Sequence, residues 1–364
     1  MFIWPSVRFL LKESGFVSEK RDFVVIFCSK ASLFLMEKKE NLLQRKNNCG
    51  RGGNRMEMGM AVLILIIGFG MLAKGADWFV EGASGIAERF RIPQAVIGLT
   101  IVAMGTSAPE AAVSITAAVK GNADITIGNI VGSNILNILI ILGISSIVAP
   151  LAVTGNTVFI EIPFMIAITG LLLIQGMGGT IGFGEGIVLT LGFAVYLFYL
   201  FYTWKKGKTV ETVTVRSRSL WQLLAGAVTG LAMIIAGSHF AVNGASSLAR
   251  MFGMSERFIG LTIVALGTSL PELFTSVSAA MKRNADIAIG NIVGSNIFNI
   301  LFVVGISALI TPVPFSADFK VDTMIAAAAG ILLLLCCVRK RELRRRDGII
   351  MLIGYGIYFI FVCL

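Results

Sequence analysis

Charged residues are scarce in this chain of 364 residues, because Asp, Glu, Lys and Arg together make up only 14% of it. A soluble domain carries roughly 25% charged residues. His239 is the only histidine, and no serine or cysteine accompanies it in a catalytic motif. The five cysteines lack metal-site spacing, and we interpret them as apolar filler. The composition therefore argues against a soluble protein and offers no case for a histidine-dependent enzyme or a cysteine-bound metal.

Apolar residues dominate instead, at 56% of the sequence. Apolar runs of roughly 18 residues or more recur, and each is long enough to cross a bilayer. Forty glycines suit closely packed transmembrane helices. Most basic residues flank the apolar runs, so the net charge of +10 fits the positive-inside rule better than nucleic-acid binding. We predict an integral membrane protein that contacts the lipid bilayer, has no nucleic-acid partner and is not an enzyme.

A long segment of the first half returns almost unchanged in the second half. Residues 98–143 align with residues 260–305 without a gap, at an offset of 162 residues, and 32 of 46 positions are identical. Each copy carries a glutamate and a proline inside an apolar stretch. Because a carboxylate inside a bilayer is costly, a duplicated one predicts a two-fold ion site near the middle of a membrane transporter.

The apolar segments predict an all-α fold of ten transmembrane helices in two five-helix repeats of inverted topology. The copies begin five helices apart, and an odd number means that the second copy enters the membrane from the opposite face. The expected spans are 59–87, 94–119, 124–148, 157–175, 184–204, 220–249, 257–281, 286–310, 321–338 and 348–364.

The basic loops after the fifth and ninth helices lie four helices apart and therefore share one side of the membrane. The positive-inside rule predicts that this side is cytoplasmic and that both termini are external, with the protein in the cell inner (plasma) membrane. Nothing in the pattern requires an oligomer. The expected organisation is a first repeat (56–204), a basic cytoplasmic loop (205–218) and a second repeat (219–364).

Residues 1–55 differ from the rest, because they are rich in Lys and Arg and contain no stretch that could span a membrane. Arg51-Gly52-Gly53 can be encoded by a purine-rich ribosome-binding sequence, and Met56 and Met58 follow at a plausible distance. We interpret this segment as a doubtful N-terminal extension arising from a misplaced start site. The alternative is a basic amphipathic surface segment.

The repeated motif GTSxPE provides oxygen ligands next to a helix break. Pro109 lacks an N–H and its ring crowds the preceding turn, so the helix must kink there and free carbonyls for a cation. Thr106, Glu110 and Ser114 recur at i, i+4 and i+8 and share one helix face. The next helix carries the polar stripe of a GNIVGSN motif. This all-oxygen set suits hard cations such as Ca²⁺ or Na⁺, and no cofactor is expected.

The motifs GTSAPE, GNIVGSNILN, GTSLPE and GNIVGSNIFN, in this order, resemble the signature of the calcium/cation antiporter superfamily, particularly its sodium/calcium exchanger branch and related prokaryotic proteins. The resemblance covers residues 58–364. It implies four ion sites around paired glutamates, and helices that slide across a core holding these sites. It also implies that the small residues Gly82 and Gly244 lie on the sliding face.

The resemblance further implies a role for each matching residue. Glu110 and Glu272 would bridge the central calcium and sodium sites, and Thr106 and Thr268 would add oxygens for calcium. The other expected ligands are Ser107, Ser133 and the Ala103 carbonyl for one flanking sodium site, Ser269, Ser295 and the Ala265 carbonyl for the other, and Asn137 and Asn299 for the middle site.

Asn299 departs from some relatives, which have an aspartate at this position, and this leaves the ion stoichiometry open. Our interpretation is an antiporter that exports Ca²⁺ in exchange for Na⁺. Ca²⁺/H⁺ exchange is the alternative within the same class, and a passive cation channel is an alternative from another class. A membrane hydrolase using Ser107 or Ser269 lacks a base residue.

Three expectations concern polar residues outside these motifs. Lys74 and Asp77, at i and i+3, are expected to form an ion pair. Asp124 and Asp286 are expected to cap the N-termini of their helices. Glu161 and Glu185 are expected to lie at the membrane interface without repeat partners.

Overall fold

The computed structural model describes residues 53–206, 219–254 and 265–363. Nearly all of the expected N-terminal extension and of the basic loop lies outside the described residues, as does the first part of the expected span 257–281. Residues 60–359 form one compact unit. The few described residues beyond this unit, at the two chain ends, belong to the first and last helices.

The first half folds into six helical segments. Helix α4 consists of Asp124–Leu136, a π-helical turn Asn137–Leu142 and Gly143–Val148, and α5 consists of the π-helical turn Thr157–Glu161 and Ile162–Gly176. The others are α1 (Gly53–Phe90), α2 (Gln94–Thr106), α3 (Ala108–Val119) and α6 (Phe183–Lys206).

The second half follows the same plan. Its helices are α7 (Leu220–Met251), α8 (Ala265–Thr268), α9 (Leu270–Met281), α10 (Ala285–Ile310, with a π-helical turn Asn299–Val304), α11 (Ala317–Val338) and α12 (Arg345–Cys363).

Seven helices of the described residues are long and apolar enough to cross a membrane, or eight if the bent pair α2 and α3 counts as one span. The all-α, multi-span prediction is confirmed, whereas the count of ten is not. One further expected span begins at residues 257–264, which are not described, and α12 is not among the seven.

The predicted helix break lies between α2 and α3, whose axes differ by 51°. Ser107 interrupts the helix, with φ −81° and ψ 5°, and Ser269 does the same between α8 and α9, with φ −90° and ψ 4°. Pro109 and Pro271 each lie in the first turn of the following helix, where a proline costs no hydrogen bond. The break therefore precedes each proline by two residues.

Helices α4 and α10 form the centre of the molecule. About four fifths of each span is buried (78% and 83%), against 22% for α1 and α7, so the repeated GNIVGSN helices are surrounded by protein and the two long helices face outward. The motif helices α3 and α9 pack against α4 and α10, respectively. This arrangement brings both copies of the repeat together at the core.

The offset of 162 residues extends to the outer helices, although the sequences of α5 and α6 match those of α11 and α12 only in hydropathy. Strands β1 (Leu151–Ala152) and β2 (Thr180–Ile181) recur at this offset as β3 (Val313–Pro314) and β4 (Glu342–Leu343). Strand β1 pairs with β4, and β2 pairs with β3, both antiparallel. Each short sheet therefore joins the two repeats.

Positive φ angles among the described residues also recur at the offset of 162 residues. Each arginine with a positive φ corresponds to a glycine with a positive φ in the other repeat. The left-handed region favours glycine. An arginine nevertheless adopts it in the partner position of each pair, so the repeat preserves the turn even where the residue type is unfavourable. The pairs are Arg91 (φ 53°) with Gly253, Arg283 (φ 59°) with Gly121, and Arg341 (φ 49°) with Gly179.

Helices α1 and α7 touch backbone to backbone. A Cβ atom added at Gly75 would lie 2.8 Å from the Gly230 carbonyl oxygen, and one added at Gly82 would lie 2.7 Å from the Leu223 oxygen. The glycines of this contact recur every seven residues in each helix, and the two sets are related by the repeat. They are Gly68, Gly75 and Gly82 in α1, and Gly230, Gly237 and Gly244 in α7.

The expected Lys74–Asp77 ion pair is wrong. Asp77 instead accepts a hydrogen bond from Ser278 Oγ (2.7 Å) and pairs with Lys282 Nζ (3.3 Å), while Lys74 lies over the Trp78 ring. The spacing rule for isolated helices is overridden here, because a lysine at the end of α9 reaches the same carboxylate. Lys282 also contacts Glu81 at 3.3 Å.

The expected N-caps are also wrong. Asn284 caps α10 by accepting the Ile287 N–H (3.3 Å), so Asp286 lies inside the first turn. The first segment of α4 starts at Asp124, with Ala123 in the capping position. An asparagine side chain is as good a cap as an aspartate, so residue type alone does not separate Asn284 from Asp286 two positions later.

Glu161 is buried and accepts a hydrogen bond from the Tyr199 hydroxyl (2.7 Å), so the expected interfacial position is wrong for it. Glu185 does have a repeat partner, contrary to expectation. Glu185 Oε2 accepts the Gly182 N–H (3.1 Å), and Asp347 Oδ2 accepts the Arg344 N–H (3.0 Å), at the starts of α6 and α12. Both carboxylates therefore satisfy a free N–H ahead of their helix.

Candidate functional site

The two glutamates of the repeated motif are buried at the centre of the molecule. Glu110 lies in the first turn of α3 and Glu272 in the first turn of α9, each directly after a helix break. Each side chain is only 1% exposed. A carboxylate removed from water at this cost requires hydrogen bonds or a cation to balance its charge.

Each glutamate accepts a hydrogen bond from the serine of the opposite repeat. Ser107 Oγ donates to Glu272 Oε1 (2.7 Å), and Ser269 Oγ donates to Glu110 Oε1 (3.2 Å). The second carboxylate oxygen, Oε2, has no hydrogen-bond partner in either residue. The two halves of the site are thus linked crosswise, and each contributes one buried, unpaired anionic oxygen.

The remaining expected serines contact groups of the opposite repeat. Ser295 Oγ donates to the Ala103 carbonyl (3.4 Å), and the hydroxyls of Ser269 and Ser133 lie 3.5 Å apart. The expected grouping of Ser133 with the Ala103 carbonyl, and of Ser295 with that of Ala265, as ion ligands stays a prediction. Ala265 is the first residue of α8, and only its backbone is described.

The two expected threonines have different surroundings. Thr106 is fully buried, and its hydroxyl lies 3.0 Å from Asn291 Oδ1 and 3.1 Å from the Val102 carbonyl. Thr268 is half-buried and precedes Ser269 at the break. Both threonines thus end a helix directly ahead of a glutamate-bearing turn.

Asn137 and Asn299 are buried and begin the π-helical turns of α4 and α10. Their amide Nδ2 groups donate to Asn296 Oδ1 (3.0 Å) and Asn134 Oδ1 (3.1 Å), respectively. Their own Oδ1 atoms have no partner. The structure thus adds Asn134 and Asn296, which sequence reasoning missed although both are identical in the two motif copies.

Asn129 and Asn291, from the predicted polar stripe, tie the central helices to the glutamate-bearing helices. Asn129 Nδ2 donates to the Glu110 carbonyl (3.3 Å) and Asn291 Nδ2 to the Glu272 carbonyl (3.4 Å). Each also donates to a serine hydroxyl one helical turn further on, at 2.9 Å in both cases. These bonds hold each glutamate-bearing helix in a fixed position against the central helix of its own repeat.

The site is an all-oxygen one. Among the carboxylate and amide groups of the site, four buried acceptor oxygens lack a donor, and they form two repeat-related pairs: Oε2 of Glu110 and Glu272, and Oδ1 of Asn137 and Asn299. Among the described residues, no three His, Cys, Asp or Glu side chains lie close enough together to hold a metal ion. Carboxylate, amide, hydroxyl and carbonyl oxygens are the ligands that hard cations prefer. The chemistry of this donor set fits Ca²⁺ and Na⁺ as transported substrates.

A membrane-embedded, all-helical fold with this buried oxygen site defines a multi-pass ion transporter rather than an enzyme. Comparison with known proteins gives the family. The sequence model described as "Sodium/calcium exchanger protein" matches residues 60–202 and, separately, residues 222–364. The chain belongs to the sodium/calcium exchanger family and is a prokaryotic-type cation antiporter.

Individual relatives agree. The chain is 40% identical over 307 residues to the putative antiporter CaxA of Alkalimonas amylolytica, covering 81% of this chain and 96% of the relative. It is 32% identical over 349 residues to the sodium/calcium exchanger MaX1 of Methanosarcina acetivorans, covering 82% and 97%. It also resembles the solved structure of the sodium-calcium exchanger NCX_Mj, with a TM-score of 0.74, 30% identity, and coverage of 83% and 99%.

Proposed function

We propose that this chain exports cytosolic Ca²⁺ in exchange for Na⁺, by alternating access at the site between the two GTSxPE motifs. The observation that carries the proposal is the pair of unpartnered glutamate oxygens, together with two unpartnered amide oxygens on π-helical turns that pack against the glutamate-bearing helices. Two carboxylates balance one Ca²⁺ or two Na⁺, so the competing ions can replace one another at equal charge. Sodium is the named coupling ion of MaX1 and NCX_Mj, which supports it here.

The ligand set that we propose follows the repeated motifs. Ser107 and Ser133 with the Ala103 carbonyl form one flanking sodium site, and Ser269 and Ser295 with the Ala265 carbonyl form the other. Glu110 and Glu272 bridge the calcium and sodium sites. Thr106 and Thr268 complete the calcium site between the glutamates. Asn137 and Asn299 line the middle.

The transport cycle that we propose uses ten helices in two inverted repeats, with the basic loops in the cytoplasm and both termini outside. In this arrangement α1 and α7 slide across the core and open the site to each side in turn. Gly82 and Gly244 face the other long helix rather than the core, so the glycine contact supports movement of α1 and α7 as a closely packed pair. Exchange follows because Ca²⁺ and Na⁺ compete for the same glutamates, so that bound Ca²⁺ excludes Na⁺ and bound Na⁺ excludes Ca²⁺.

The deciding experiment uses vesicles that contain the purified protein, with the membrane potential clamped. An outwardly directed Na⁺ gradient is expected to drive Ca²⁺ uptake, and a pH gradient of equal size is not. If only the pH gradient drives uptake, the chain is a Ca²⁺/H⁺ antiporter. If Ca²⁺ enters with neither gradient, at a rate set by its own concentration difference, the chain is a channel.

A further inference from the structure

Asn134 and Asn296 lie next to the site and were not among its expected ligands. Both are buried, and the offset of 162 residues makes them equivalent. Asn134 Nδ2 donates to the main-chain carbonyl of Asn296 (3.3 Å), and Asn296 Nδ2 donates to that of Asn134 (3.2 Å). This reciprocal pair links the middle of α4 to the middle of α10.

The reciprocal bonds fix which way each amide points. A main-chain carbonyl can only accept, so the NH₂ end of each side chain must face it. The oxygen end is then directed elsewhere, and it accepts the NH₂ of a site residue from the other repeat. Asn134 Oδ1 accepts from Asn299 (3.1 Å), and Asn296 Oδ1 accepts from Asn137 (3.0 Å).

The same logic determines the orientation of the site amides. Because Asn134 and Asn296 offer them an acceptor, Asn299 and Asn137 must present their NH₂ groups to it. The oxygens of Asn299 and Asn137 then remain without a partner in the described part of the chain. A buried acceptor left in this way is costly unless a ligand engages it.

We propose that Asn134 and Asn296 are positioning residues, which hold the amide oxygens of Asn299 and Asn137 ready for the transported cations. The proposal rests on the proposed exchange function. Its distinctive feature is its crosswise connection: Asn134 shares a helix with Asn137 but orients Asn299, and Asn296 shares a helix with Asn299 but orients Asn137.

The test compares apparent affinities (KM) for Ca²⁺ and Na⁺ and maximal rates in vesicles. Asn134→Ala and Asn299→Ala are each expected to raise the KM for at least one cation about tenfold. The maximal rate of Asn134→Ala, which removes no ion ligand, is expected to stay within twofold of that of the unmodified protein. The double variant is expected to show no larger change than the stronger single variant, because both remove the same oriented oxygen. Asn296→Ala and Asn137→Ala are expected to repeat this pattern.

The matched control is the double variant Asn134→Ala/Asn137→Ala, which combines residues of one helix that orient different oxygens. Its KM change is expected to be the product of the two single changes. The proposal is overturned if Asn134→Ala leaves both KM values within twofold of normal while Asn299→Ala raises them, or if the crosswise pair is also multiplicative. If the unmodified protein shows no exchange, the proposed function fails instead.

A measurement on the unmodified protein covers the case in which these variants do not fold. In its structure with bound Ca²⁺ or Na⁺, at least one of the Asn137 and Asn299 oxygens is expected within about 2.6 Å of a cation. Cations bound at the glutamates, with both amide oxygens out of reach, would overturn the proposal.

Discussion

Replacing Glu110 or Glu272 by glutamine is expected to abolish exchange while leaving the fold intact. In both residues one carboxylate oxygen accepts a serine hydroxyl and the other has no partner. A glutamine oxygen can keep the serine bond, so the amide NH₂ takes the place of the unpartnered oxygen. The substitution therefore exchanges an anionic acceptor for a donor at the point where a cation binds.

The size of the effect follows from Coulomb's law. Two unit charges 4 Å apart interact by about 4 kcal/mol at an effective dielectric of 20. Loss of one carboxylate charge therefore weakens binding of a monovalent cation by roughly a thousandfold, and of a divalent cation by more. Because the two glutamates have mirrored contacts, the two variants should lose affinity to within about tenfold of each other.

The assay is sodium-driven Ca²⁺ uptake into vesicles, combined with Ca²⁺ titration of the thermal unfolding midpoint of the purified protein. Both variants should unfold at normal temperature without ions and lose the Ca²⁺-induced rise. Glu185→Gln is the matched control, since its amide oxygen can still accept the Gly182 N–H that Glu185 accepts now. Uptake above a tenth of normal in either site variant would refute the assignment of the paired carboxylates.

Three other substitutions test the fold around this site. Gly75→Ala should destabilise the protein by about 1–3 kcal/mol and slow transport, because its Cβ would meet the opposite helix, whereas Gly70→Ala, with no atom within 4 Å, should change neither. Gly121→Val should lower the thermal midpoint more than Gly121→Arg, because the φ of +76° is accepted by an arginine in the other repeat. Lys282→Met should cost at most about 1 kcal/mol by thermal unfolding, since its ion pairs are partly exposed. Lys120→Met is its repeat-matched control, and an equal loss in both would show that the pairs contribute nothing.

The paired glutamates and the helix breaks could be predicted because the motif that carries them occurs in both repeats. A proline beside a glutamate in an apolar run indicates a helix break with a functional carboxylate. The exact recurrence of this pair in the second repeat strengthens that interpretation. The equivalence of the outer helices could not be predicted in this way. Their lipid-facing positions require only apolar side chains, so the repeats have diverged in sequence while the helix ends and the short strands kept the same offset.

The partners of individual polar groups were less predictable than the groups themselves. Ser133 and Ser295 were predicted as ion ligands within their own repeat, and their hydroxyls form hydrogen bonds with groups of the opposite repeat. Asp77 offered a local lysine three residues away, yet the structure brings Lys282 to it from a distant helix. The partner of a buried polar group depends on how the helices cross. The spacing of residues within one helix contains no information about that crossing.

The symmetry of the site has a physical consequence for the exchange cycle. The serine bonds to the glutamate side chains and the asparagine bonds to the glutamate carbonyls recur in both repeats, so the site itself gives little preference for one side of the membrane. Any preference must come from places where the repeats differ. Lys282 is one such place: it faces Asp77 and Glu81, whereas the repeat equivalents of these acids are His239 and Asn243. Because exposed ion pairs contribute up to about 1 kcal/mol, such a bias stays small enough for the bound ions to reverse it.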